Sequence, residues 1–249
     1  SILNPEDEVI LLAPYWVSYI EMIKIAEAKP IVVSTSIESD FKINIDQLKK
    51  AITPKTRMIW FSSPCNPSGS VYTKEELKAI AELIKGYPNI IIVSDEIYEH
   101  INFVGKHESI AQFDFIKDQV VVVNGVSKGF AMTGWRIGFI AAPKWIADAC
   151  TKMQGQFTSG TCSIAQKAAQ AALEADTSIV NEMVGAFKKR KELVYHLMKD
   201  IPGIKMNQQK GAFYFFPDVS YYFGISYATS EEVLVEAVSR IKKALSLLK

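Results

Sequence analysis

The chain has 249 residues, 49% of them hydrophobic and 22% charged, with a formal net charge of +1 at pH 7. This is enough apolar material for a large core, one big domain or one and a half, and the near balance of charge argues against nucleic acid or an anionic membrane as the main partner. No apolar run reaches the roughly 18 residues that span a bilayer, and Cys65, Cys150 and Cys162, which lack metal-ligand spacing, read as free thiols of a soluble protein in a reducing cytoplasm.

The chain opens at Ser1 without a methionine or a signal peptide, in what reads as the end of a helix, so residues are expected before it. Residues 9–12 are an apolar run closed by Pro14, Tyr15 and Trp16, which predicts a strand and the loop at its carboxyl end. A helical stretch follows, and residues 30–34 predict a second strand. Residues 45–51 are amphipathic and stop near Pro54. Residues 58–61 form a third strand, with Ser62-Ser-Pro-Cys-Asn-Pro-Ser-Gly69 as its loop. Thr73 and Glu76 have the spacing of a capping box that opens a helix to about residue 85.

A fourth strand, 90–93, runs directly into Ser94-Asp-Glu-Ile-Tyr98, and the valine run 120–123 is a fifth. Strands rich in Ile and Val that alternate with helices predict an α/β fold of three layers, a mostly parallel sheet covered by helices on both faces. Beyond residue 138 the pattern is helical over about 142–175, with interruptions at Gly155 and Gly160, and again over 179–199. The basic run 188–191 reads as the solvated face of that last helix. Residues 211–216 predict a strand and 231–248 a terminal amphipathic helix. The expected division is a large domain over 1–186 and a smaller α+β domain over 187–249.

In sheets of this kind ligands bind beyond the carboxyl ends of the strands. Four of the five strands end in loops with polar or aromatic residues: Trp16, Asn66, Asp95 with Tyr98, and Lys128 with Arg136. An ammonium group at the end of a buried strand must find a partner or lose its proton, which makes Lys128 a candidate amine nucleophile of the kind that condenses with carbonyl groups. The forked guanidinium of Arg136 suits a phosphate or carboxylate. Taken alone, the pair also fits a solvated loop with a surface ion pair. Asp95 needs a cationic partner or a capping role, since an unpaired buried carboxylate costs several kcal/mol. Asn66 between two prolines could donate to a ligand oxygen or cap a turn, and Trp16 could be core or a flat surface for an aromatic ring.

A rival pattern overlaps this stretch. Gly125-Val-Ser-Lys-Gly129 fits the nucleophile elbow of serine hydrolases, with Ser127 as the nucleophile. Its triad is poorly supplied, because the only histidine after Ser127 is His196, inside an amphipathic helix. His100 and His107 read as ordinary surface or packing residues.

Pro14-Tyr-Trp16, Ser63-Pro-Cys-Asn-Pro-Ser-Gly69, Ser94-Asp-Glu-Ile-Tyr-Glu-His100 and Asn124-Gly-Val-Ser-Lys-Gly-Phe-Ala-Met-Thr-Gly-Trp-Arg-Ile-Gly138 together resemble the class I aminotransferases, pyridoxal-phosphate enzymes of fold type I, and most of all their bacterial aspartate aminotransferase subgroup. The resemblance implies that Lys128 carries the cofactor and moves the substrate proton, that Asp95 pairs with the pyridinium nitrogen, and that Tyr98 and Asn66 donate to the ring's phenolic oxygen. It implies that Arg136 holds the phosphate, and that Trp16 flanks the ring and, with Asn66, contacts the substrate. The implied reaction is ping-pong transfer of an amino group from aspartate to 2-oxoglutarate in a cytoplasmic homodimer whose active sites lie at the subunit interface. Aromatic amino acid or prephenate aminotransferases share these motifs, as does the sensor domain of some transcription regulators.

The chain departs from the family pattern in three places. The glycine-rich phosphate segment would lie upstream of Ser1. Gly224 stands before Ile-Ser-Tyr-Ala where the family has an arginine that grips the substrate carboxylate. A helix and a strand expected before that point are missing, so an internal gap is expected near residues 223–225.

Overall fold

The computed structural model describes residues 2–176, 178–219 and 224–247. Its centre is a six-stranded sheet built from β1 (Glu8–Ala13), β2 (Lys29–Ser34), β3 (Thr56–Ser62), β4 (Ile91–Asp95), β5 (Val120–Gly125) and β6 (Gly138–Ala141), in the order β2-β1-β3-β4-β5-β6. The first five strands are parallel and β6 is antiparallel to β5. The five aliphatic runs all become strands. β6, Gly-Phe-Ile-Ala, is an apolar stretch that was not expected as a strand, and all four of its residues are exposed at the edge of the sheet.

Alternation along the strands divides the core into two layers. Ile10 and Leu12 of β1, Ile59 and Phe61 of β3 and Ile92 of β4 face α2 (Ile45–Ala51) and α3 (Lys74–Ile84), which supply Leu48, Leu77, Ile80 and Ile84. Val9, Leu11, Met58, Ile91 and Val93 face the other way, against Tyr19 and Ile23 of α1 (Ser18–Ile25) and Ile146 of α4 (Lys144–Phe157). A side-chain period of two with both faces covered is what near-continuous aliphatic strands require. The α3 capping box forms as expected, with Thr73 Oγ1 accepting from the Glu76 amide at 3.2 Å and Glu76 Oε2 from the Thr73 amide at 2.7 Å.

A third cluster joins α6 (Ser178–Met198), the short hairpin of β7 (Tyr214–Phe215) and β8 (Ile225–Ser226), and α7 (Glu231–Ser246) through Phe187, Val194, Met198, Phe213, Phe215, Tyr227 and Leu234. Tyr98 and Ile101 from the loop after β4 belong to the same cluster. The boundary expected at residue 187 falls inside α6, which is one unbroken helix there.

Four local expectations need correction. Residues 2–4 are not helical; Ile2 and Leu3 pack on the α1 side of the sheet, so their apolarity reflects a docking segment. The helical stretch after residue 142 divides between α4 and α5 (Ser163–Glu174), and only Gly160 lies in the break, while Gly155 is tolerated within α4. The strand expected over 211–216 is limited to β7, because the residues before it bond instead to the loops after β3 and β4. The apolar run of the fourth strand begins one residue early, since Ile90 closes a turn onto Tyr87. The gap expected near 223–225 begins at residue 223, which with 220–222 lies outside the described residues.

Candidate active site

The chain direction reverses between β1 and β3: β2 lies on one side of β1, whereas β3 and its successors lie on the other. Crevices beyond the carboxyl ends of strands at such a switch point are where open α/β sheets hold ligands. A cavity of about 470 Å³ occupies this position, and Trp16, Asn66, Asp95, Tyr98, Lys128 and Arg136 all line it. Residues spread over 120 positions of sequence are brought together by four neighbouring strand ends.

Asp95 is the last residue of β4, and its carboxylate is held from two sides. The Ile97 amide donates to Oδ1 at 3.1 Å, and the Tyr19 hydroxyl donates to Oδ2 at 2.5 Å. Burial raises its pKa, the Tyr19 and Ile97 hydrogen bonds oppose that, and among the described residues it forms no salt bridge. An ionised carboxylate in this setting has room for one cationic partner.

Lys128 follows β5 in a turn. Its Nζ lies 5.9 Å from the centre of the Tyr98 ring and 5.6 Å from that of Phe213. Burial lowers its pKa, the Arg136 charge lowers it further, and Asp95 pulls the other way. The amine therefore reaches its neutral, nucleophilic form at lower pH than an ordinary lysine.

Tyr98 is 3% exposed, and burial followed by the Tyr214 hydroxyl pushes its phenol well above the usual range, while Asn66 opposes the shift. Its hydroxyl stays protonated at neutral pH and available as a donor. Arg136 is exposed with a left-handed backbone (φ 55), and its Nη1 donates to the Thr133 carbonyl at 2.8 Å. Among the described residues the surface ion pair considered from sequence does not form, which leaves guanidinium donors for an anion.

Three contributors were not singled out in the sequence. Tyr19 supports Asp95, Tyr214 bonds Tyr98, and Phe213 flanks Lys128. Tyr19 lies three residues after Trp16, a helical spacing that could have placed it on the same side. Phe213 and Tyr214 had no such signal, since their approach depends on tertiary packing. Ser127 lines the cavity but has no hydrogen bond to a histidine among the described residues, so the hydrolase pattern lacks its base. Cys65 is buried with its thiol pKa raised by desolvation, which makes it an inert thiol.

Beyond its strand ends this mostly parallel α/β sheet gathers an amine of lowered pKa, a phenol, and a buried carboxylate and a guanidinium that form no salt bridge among the described residues. The family model for aminotransferase class I and II matches residues 1–242, and the chain belongs to that family. It is 48% identical over 219 residues to the aspartate/prephenate aminotransferase of Nitrosomonas europaea, covering 87% of this chain and 55% of that protein. It is 40% identical to a Petunia hybrida protein described as a bifunctional aspartate aminotransferase and glutamate/aspartate-prephenate aminotransferase, covering 100% of this chain and 61% of that one. The Petunia alignment runs over 293 positions, more than the 249 residues present here, so that relative has residues without a counterpart in this chain. The crystal structure of the Rhizobium meliloti aspartate aminotransferase superposes with a TM-score of 0.94 at 33% identity, covering 98% of this chain and 72% of that one.

Proposed function

We propose that this chain forms the catalytic part of a pyridoxal-phosphate-dependent aminotransferase that moves an amino group from L-aspartate to 2-oxoglutarate by a ping-pong mechanism. The observation that carries the reading is the convergence of Lys128, with its lowered pKa, and the uncompensated Asp95 in one cavity with Tyr98, Asn66 and Arg136. The donor set fits the cofactor group by group. Pyridoxal phosphate would supply an aldehyde for an amine and a cationic ring that withdraws electrons from the substrate α carbon.

In this reading Lys128 Nζ would anchor the cofactor and would carry the proton between the substrate α carbon and the cofactor. The Asp95 carboxylate keeps the ring nitrogen protonated. The Tyr98 hydroxyl and Asn66 amide would donate toward the ring oxygen, Arg136 would hold the phosphate, and Trp16 would cover the ring and, with Asn66, meet the substrate. We assign the large domain to residues 1–186 and the small one to 187–249. We also assign the protein to the cytoplasm, as a homodimer with no nucleic-acid or membrane partner; among the described residues no helix is long and apolar enough to cross a membrane. The names of the Petunia and Nitrosomonas relatives favour prephenate as a second acceptor.

The test is an absorbance titration of the purified protein with pyridoxal phosphate, followed by single additions of aspartate, tyrosine and alanine. A visible band that forms in the wild type, is absent in Lys128→Ala and is bleached by aspartate is the expected result. No band, or an unchanged band in Lys128→Ala, overturns the reading.

A further inference from the structure

The pocket's carboxylate has a support that lies outside the strand-end loops. Tyr19, in the first turn of α1, is 2% exposed, and its ring stacks on Trp60 of β3 at 4.4 Å between centres with an interplanar angle of 26°. The Trp16 ring meets it edge-on, at 5.6 Å and 89°, and the Tyr19 amide donates to the Trp16 carbonyl at 3.0 Å. A phenol clamped in this way has its hydroxyl aimed in one direction, and that direction is Asp95 Oδ2, across 76 positions of sequence. With the Ile97 amide on Oδ1, the plane of the carboxylate is set by two donors, and each oxygen keeps acceptor capacity for the cavity.

We propose that Tyr19 is a positioning residue that orients the Asp95 carboxylate and holds it ionised for a cationic ring nitrogen. The inference rests on the cofactor reading above. The groups facing Asp95 are Tyr19 from α1, Cys65 from the loop after β3, Glu96 from its own loop and Lys128 from the turn after β5, with Tyr98 nearby. Burial is the largest influence on Asp95 and favours its protonated form; the Tyr19 hydrogen bond is the largest opposing one, ahead of the Ile97 amide and the Lys128 charge. Removing the hydroxyl therefore raises the pH at which Asp95 takes up a proton, and a neutral carboxyl no longer attracts the ring nitrogen.

The experiment measures the affinity of the apoprotein for pyridoxal phosphate from mildly acidic to mildly alkaline pH, in wild type and Tyr19→Phe. The acid limb is expected to move to higher pH in the variant, with binding about tenfold weaker on the acid side and close to wild type on the alkaline side. A second series uses the carbocyclic analogue with C–H in place of the ring nitrogen, and there the two proteins are expected to bind alike. A loss that is equal at every pH, or equal for both ligands, marks Tyr19 as merely structural and overturns the proposal, as do superimposable curves. Failure of the wild type itself to bind at any pH overturns the cofactor reading instead.

Discussion

The hydroxyls of Tyr98 and Tyr214 lie 2.9 Å apart, although one belongs to the loop after β4 and the other to β7, 116 positions later. This contact connects the C-terminal cluster to a phenol that lines the cavity. Tyr214→Phe removes it, frees Tyr98 to rotate, and is expected to cost about 1 kcal/mol of stability and to weaken pyridoxal phosphate binding several-fold. Thermal unfolding of the apoprotein and an absorbance titration check the two effects separately.

The neutral form of Lys128 is favoured by burial and by the Arg136 charge. A folded-state pKa below the ordinary lysine value means that the reactive amine appears at lower pH, and that removing the neighbouring cation moves this limb upward. Condensation with pyridoxal, which lacks the phosphate that Arg136 would hold, isolates the effect. In Arg136→Gln the rate against pH should rise at higher pH than in the wild type, and an unmoved limb would count against the charge coupling.

Gly211 sits against the Asn66 loop so closely that an added Cβ would lie 2.6 Å from Pro64 Cβ and 3.0 Å from the Ile101 carbonyl oxygen. Both neighbours are rigid, and the Gly211 amide is itself bonded to the Gly69 carbonyl at 2.9 Å. Gly211→Ala should destabilise the protein by roughly 1–3 kcal/mol through overpacking. It should also weaken cofactor binding through the displaced loop, as read by denaturant melts and by titration.

Glu96, 3% exposed, accepts from the Ser94 hydroxyl at 2.9 Å and the Ser109 hydroxyl at 2.7 Å, and its other oxygen meets His107 Nε2 at 2.8 Å. Glu96→Ala leaves three buried or half-buried polar groups without this partner and is expected to cost roughly 2–4 kcal/mol. Denaturant unfolding measures it, with Glu96→Gln retaining part of the network and falling between the two.

What could be read from the residues followed from how local each signal was. The parallel strands announce themselves because burial on both faces demands uninterrupted Ile and Val, and the α3 capping box is written in two residues three apart. Asn66, Asp95, Tyr98, Lys128 and Arg136 could be singled out because they lie in the loops beyond the carboxyl ends of buried strands, where sheets of this kind hold ligands. β6 was missed because its apolar stretch is short and opens with a glycine, and what defines it as a strand is its pairing with β5. Tyr19, Phe213 and Tyr214 were hidden for another reason: their neighbours Trp60, Asp95, Lys128 and Tyr98 are distant in sequence, and nothing in the local pattern of an aromatic residue states which distant group it will meet.

The four strands that carry Trp16, Asn66, Asp95 and Lys128 at their ends are consecutive in the sheet, β1-β3-β4-β5. Backbone hydrogen bonding fixes neighbouring strands about 4.8 Å apart, so the sheet acts as a ruler on which the four groups are marked. Side-chain substitutions elsewhere cannot rescale that ruler. Divergence in what such a pocket accepts is then expected in the parts that are not ruled, the loops and the β7 side of the opening.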